Sequence, residues 1–63
     1  MIKEDIRAIR AAKRPPKLTT FWNKFGSMEN GTWKWASEST MQMNISEEEI
    51  SRAAHIIRAR SEA

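Results

Sequence analysis

The sequence predicts a small, mostly helical α+β fold: helix–strand–helix in a single domain over residues 1–63, closed as a homodimer with an intermolecular core. Three observations lead there. Segments 2–14 and 47–61 repeat apolar residues with the 3.6-residue period of a helix face. Between them Thr40–Ile45 alternates polar and apolar residues with the period of a strand. The chain also holds three Trp, two Phe and four Met among 63 residues, with no Cys. A domain of about 60 residues buries only about 60% of the surface its unfolded chain exposes. Small folds supplement such a core with disulfides, a metal or a second subunit. The missing cysteines exclude the first, no ligand cluster supports the second, and a second copy is left.

The first helix, 2–14, rests on Ile2, Ile6 and Ile9 at i, i+4 and i+7. Ala8, Ala11 and Ala12 favour helix. Glu4 and Asp5 in its first turn and Lys13 and Arg14 in its last suit the helix dipole. Pro15 and Pro16 each disfavour helical geometry at the preceding residue, which ends the helix by Arg14.

An aromatic middle segment, 19–36, follows. Thr19 or Thr20 is placed to cap a short helix carrying Phe21, Trp22 and Phe25 on one side. Gly26 would end that helix in the left-handed conformation. Asn30-Gly31 is a turn signal, because both residues tolerate positive φ. Thr32–Ala36 alternates, with Trp33 and Trp35 on one side and Lys34 on the other; it either pairs with the 40–45 strand or is irregular. That strand puts Met41, Met43 and Ile45 on one face and Thr40, Gln42 and Asn44 on the other.

The last helix, 47–61, has the clearest start. Ser46 and Glu49 form a capping box, and Ile45 and Ile50 are spaced for a hydrophobic staple across it. Glu47, Glu48 and Glu49 complement the positive helix start, and Arg58 and Arg60 the negative end. Ile50, Ala53, Ala54 and Ile57 make the apolar face, widened by Ile56, and Glu48–Arg52 is an i, i+4 pair.

Charge and compartment follow from the same residues. The net charge of +3 is uneven: Met1–Gly31 carries seven basic and three acidic residues, Thr32–Ala63 four and five. A basic half fits an acidic partner, and it equally serves as a solvated face. No apolar run approaches the roughly 20 residues of a membrane span. Residues 1–14 lack the apolar core of a secretory signal. A protein without membrane contact, in a reducing cytoplasm, is expected.

Catalysis finds little support. His55 is the single histidine, there is no Cys or Tyr, and His55 falls on the polar flank of its helix. Glu47, Glu48 and Glu49 diverge by about 100° each on a helix and cannot converge on one ion. Gly26 and Gly31 stand apart and form no phosphate loop. A non-enzymatic protein without metal or cofactor is expected.

Binding is better supported. Phe21, Trp22, Phe25, Trp33, Trp35, Met41 and Met43, with Ile50 and Ile57, are the candidate dimer or partner interface. Trp is enriched at interface hot spots and Met adapts to irregular surfaces. Any part of this cluster left outside the dimer core would form a groove suited to an amphipathic helix of a partner. The alternative is nucleic acid. Lys3, Arg7, Arg10 and Arg14 form a basic stripe beside the isoleucines. Thr40-Met-Gln-Met-Asn-Ile-Ser before a capped helix resembles the strand-to-helix start of ribbon-helix-helix DNA-binding proteins. There Gln42 and Asn44, with Thr40, would face the bases. That family's second helix has no counterpart before Ala63.

Over its whole length the chain resembles a small family of lambdoid temperate bacteriophage proteins, the short early proteins encoded between the exonuclease and excisionase genes. The likeness is carried by Ile2–Arg14, by Thr19-Thr-Phe-Trp-Asn-Lys-Phe, and by Trp33-Lys-Trp through Ile45-Ser46. It implies an early, non-enzymatic accessory protein that promotes lytic development, acts in the host cytoplasm on a host or phage partner, and dimerises through two helices and a strand.

Overall fold

The computed structural model describes residues 2–61. Its order is α1 (Ile2–Ala11), a 3₁₀ helix (Thr20–Lys24), β1 (Gly26–Glu29), β2 (Thr32–Trp35), α2 (Glu38–Asn44) and α3 (Glu47–Ser61). The fold is a mostly helical α+β domain: three α-helices and one two-stranded antiparallel sheet.

α1 buries Ile6 and Ile9 against α3, whose Ala53 and Ala54 are fully buried and let the two helices approach. It ends at Ala11 rather than Arg14. The Ala12 N–H donates to the Ile9 carbonyl (3.1 Å), a tightened last turn, and the Trp35 indole N–H claims the Ala12 carbonyl at 2.7 Å. Once that carbonyl is taken and the proline pair lies ahead, helix propagation stops.

The hairpin forms where Asn30-Gly31 places it. Asn30 (φ 53) and Gly31 (φ 79) both sit in the left-handed region, and Glu29 pairs with Thr32 across the two-residue turn. Trp33 and Trp35 therefore pair with Met28 and Gly26, not with residues 40–45. Gly26 has a different role from the expected helix terminator. It opens β1, and a Cβ there would collide with the Lys34 carbonyl and lie 2.8 Å from the Trp33 ring. Its lack of a side chain admits the indole.

Residues 40–45 are not a strand. Ser37 caps α2, its Oγ accepting from the Thr40 N–H at 3.2 Å, and the Ile45 N–H donates to the Met41 carbonyl. Met41 and Ile45, four apart, are buried, whereas Met43 between them is 80% exposed. The apolar spacing at 41, 43 and 45 contains an i, i+4 pair, so it satisfies a helix once a cap starts one. The architecture is accordingly helix–hairpin–helix–helix.

α3 starts as expected. The Glu49 N–H donates to Ser46 Oγ (3.2 Å), and Ile45 and Ile50 are both buried in one core. Among the described residues, exposed ion pairs Asp5–Arg58, Arg7–Glu38 and Lys24–Glu49 tie elements together. Such pairs each contribute under about 1 kcal/mol and set orientation more than stability.

The single chain covers its own aromatics. The hairpin folds Trp33 and Trp35 onto the 3₁₀ helix, and Phe21, Trp22, Phe25, Trp33 and Trp35 form a run of ring contacts with centroids 5.1–6.1 Å apart. The rings shield one another, so the helix faces need not cover them all. This corrects the premise that such a cluster requires an intermolecular core. Among the described residues the large apolar side chains left exposed are Leu18, Met28 and Met43.

A candidate partner-binding groove

The expected interface residues separate into an interior and a surface. Phe25, Met41 and Ile50 are fully buried, and Trp22 nearly so. They are core of the single chain and offer no surface to a partner. Phe21 and Trp35 are half-buried, and Met43 stands in solvent on α2. Only Trp33 and Ile57, of the nine, line the groove described below.

The expected nucleic-acid residues disperse as well. Lys3 is exposed on α1. Arg7 binds the Glu38 carboxylate, and Arg10 donates from Nε to the Ala36 carbonyl at 2.8 Å. Arg14 lies beyond the helix end, so the four do not form one helical stripe. Thr40, Gln42 and Asn44 cannot share a strand face, because α2 turns Gln42 about 200° from each of the others. The ribbon arrangement therefore has no strand to insert. His55 is exposed on α3.

What the fold does assemble is a groove between the hairpin, the chain leaving α1, and the C-terminal half of α3. Its volume is about 770 Å³. Buried Trp33 and Ile57, with half-buried Ala12, supply its floor, and half-exposed Met28 supplies an apolar edge. Thr32 and Gly31 at the hairpin turn border it. The exposed side chains of Lys13, Arg14 and Arg60 line the rest, and among the described residues no carboxylate does. Each of these elements follows from the local sequence: the left-handed turn sets the hairpin, Gly26 seats the Trp33 ring, and the α1 stop turns Lys13 and Arg14 outward.

The electrostatics of the groove are one-sided. Among the described residues none of Lys13, Arg14 and Arg60 has an ion-pair partner, whereas Arg7, Lys24 and Arg58 do. The ends of α1 and α3 each contribute about half a negative charge, so three cations leave roughly +2. The acidic start of α3 lies about 20 Å away along the helix axis. Trp33 Nε1 is buried and has no hydrogen-bond partner among the described residues. Glu49, outside the groove, has its pKa lowered chiefly by the hydrogen bond from Lys24; desolvation, next in size, opposes this, and Lys24's charge and the Ser46 hydrogen bonds lower it further.

No protein-family model, curated protein or solved structure matches this chain.

Among the described residues no three metal-ligating side chains cluster, and no helix is long and apolar enough to cross a membrane. Sequence reasoning missed Ala12, Lys13, Met28, Gly31, Thr32 and Arg60 as groove residues. Lys13 and Arg60 had been accounted for as helix-end charges. The only available signal was that two helix ends and one hairpin tip, all cationic or apolar, could meet.

Proposed function

We propose that this chain is a non-enzymatic binding protein whose groove captures a segment of a partner polypeptide. The observation that carries the reading is an apolar floor, built on Trp33 and Ile57, edged by three cations without carboxylate partners among the described residues. The phage resemblance supports the context: an early accessory protein in the host cytoplasm that promotes lytic development by engaging a host or phage protein. The DNA-binding alternative draws on the same cations. It is weaker because Trp22 and Trp33 are too buried to offer a stacking face, and because a helix pair α2–α3 would present Glu47 and Glu48 to phosphates.

Self-association is proposed on a narrower basis than apolar content against chain length. Met43 at 80% exposure and Leu18 at 61% are the apolar residues a second copy could cover.

A photo-crosslinking residue at Thr32, beside the floor, tests the groove, with His55, exposed on α3, as the control position. A protein adduct from Thr32 and none from His55, in cells producing the chain, is the expected result. Adducts to nucleic acid from Thr32, or equal protein adducts from both positions, would overturn it.

A further inference from the structure

Resting on the groove reading above, we infer that the occupant is an acidic amphipathic peptide segment: one or two apolar anchors flanked by carboxylates. Three features of the groove define that class.

The first is charge. Lys13, Arg14 and Arg60 come from two distant parts of the chain yet line one groove that, among the described residues, no carboxylate enters. Outside the groove Arg7, Lys24 and Arg58 each meet an acidic side chain at 2.7–2.9 Å, and Lys3, Lys17, Lys34 and Arg52 stand without one among the described residues; what marks the groove is that three such cations share one apolar surface. The helix ends offset only about one of the three charges, and the remainder is matched by about two carboxylates of an occupant.

The second is the floor. Trp33 and Ile57 bury most of their surface inside the fold and present the rest to the groove, beside Met28 at 51% exposure. Met is flexible and polarisable, and it moulds to apolar side chains of varied shape. A small inorganic anion would leave this surface unused. A volume of about 770 Å³ lies in the range that holds several side chains.

The third is what the groove lacks. Nucleic-acid strands gain affinity by stacking bases on open aromatic faces. Here Trp33 is only 9% exposed, and its ring is engaged with Trp35 at 5.5 Å. Phosphates would find cations but the bases would find no platform. An occupant that uses both the cations and the floor must carry carboxylates and apolar side chains together, as an acidic amphipathic segment does.

The test uses the whole chain, isotopically labelled, and four synthetic helical peptides of about twelve residues, a little over three turns. The first peptide has Leu and Phe anchors flanked by Glu and Asp. The second replaces those acids with Gln and Asn, the third replaces the anchors with Ser, and the fourth has Lys flanks. A poly-thymidine oligonucleotide is run beside them. Binding is read from amide shifts. The first peptide should bind, with shifts confined to 12–14, 28–33 and 57–60. The second and third should bind about tenfold more weakly, since exposed ion pairs each contribute only a fraction of a decade and the set acts together. The fourth should not bind. The triple variant Lys13→Gln, Arg14→Gln, Arg60→Gln should reproduce the loss with the first peptide, while keeping its helicity and unfolding midpoint. It should also reduce the salt dependence, since screening acts on exposed charges.

Equal binding of the acidic and neutral peptides, no detectable binding of the first, shifts centred outside the groove, or tighter binding of the oligonucleotide would each overturn the inference. The two readings fail separately. A protein adduct at Thr32 combined with preference for the neutral or Lys-flanked peptide leaves the groove standing and rejects the acidic occupant. Absence of the Thr32 adduct rejects the groove itself.

Discussion

Phenylalanine at Trp35 and at Trp33 deletes the same atoms from two neighbouring rings, and the hydrogen-bond inventory predicts opposite consequences to burial. Trp33 is the more buried, so packing alone would make Trp33→Phe the costlier change. But the Trp35 N–H donates to the Ala12 carbonyl at 2.7 Å and holds the end of α1 against the hairpin. Removing it forfeits a partly buried bond and leaves that carbonyl without its donor, a loss of about 1–3 kcal/mol. The Trp33 N–H is buried without a partner among the described residues. Deleting it relieves a desolvation penalty of the same order, about 1–3 kcal/mol, against the atoms lost from the ring. Trp35→Phe should therefore be the more destabilising of the two despite its greater exposure. Urea unfolding followed by far-ultraviolet circular dichroism reads this directly, because loss of an indole changes the fluorescence baseline. Equal slopes with a lower midpoint for Trp35→Phe are expected. If Trp33→Phe lowers the midpoint more by 1 kcal/mol or more, about 4–8 °C in Tm for a domain of this size, burial outweighs bonding here and the reasoning is wrong.

Other consequences follow from single atoms or angles. Gly31→Ala should cost about 1–2 kcal/mol through its positive φ, and Gly26→Ala should cost more, because its Cβ meets the Lys34 backbone; thermal melts of both variants check the order. Ser37→Ala and Ser46→Ala should each cost about 0.5–2 kcal/mol as lost caps, and Ile50→Ala about 2–5 kcal/mol because Ile50 is fully buried; carbon chemical shifts at Met41 and Met43 should read helix, and strand shifts there would reject α2. Glu49 has a folded pKa below its ordinary value of 4.5. Its stabilising contribution is thus present above the unfolded pKa and fades as pH falls through the lower folded one; Glu49→Gln should flatten the melting temperature across that acidic range, and an unchanged slope would count against the Lys24 contact. Sedimentation of the wild type and Met43→Ser at rising concentration tests self-association, with the variant expected to remain monomeric at concentrations where the wild type pairs.

Different elements were legible for different reasons. α3 could be read because its cap, staple and apolar face occupy separate positions that all require the same start at Ser46. The Asn30-Gly31 turn could be read because few residue pairs accept two positive φ angles. β1 could not, since Gly-Ser-Met-Glu carries no β-branched residue and one apolar side chain; it is a strand because the turn delivers it to β2. A two-residue turn needs two arms, and only the tryptophan arm had a pattern of its own. Segment 40–45 was misread as a strand because spacing by two includes spacing by four. The cap at Ser37, a weaker cue than the alternation, was the deciding residue.

The groove escaped the sequence for a further reason, which bears on how its cations should be interpreted. In the sequence Lys13, Arg14 and Arg60 each read as helix-end charges, and that local explanation predicts that each is satisfied there, although α1 stops at Ala11 and leaves Lys13 and Arg14 just beyond its end. The helix ends can offset only about one unit of charge between them. The fold brings all three cations to one apolar surface, where their total is about three times that offset. Dipole complementation therefore accounts for the presence of each charge but not for their convergence. Had the helix ends been the whole explanation, carboxylates could have lined the same surface without loss, as Asp5, Glu38 and Glu49 do beside Arg58, Arg7 and Lys24. Among the described residues no carboxylate lines the groove, and this is what distinguishes a binding surface from a set of well-placed helix ends.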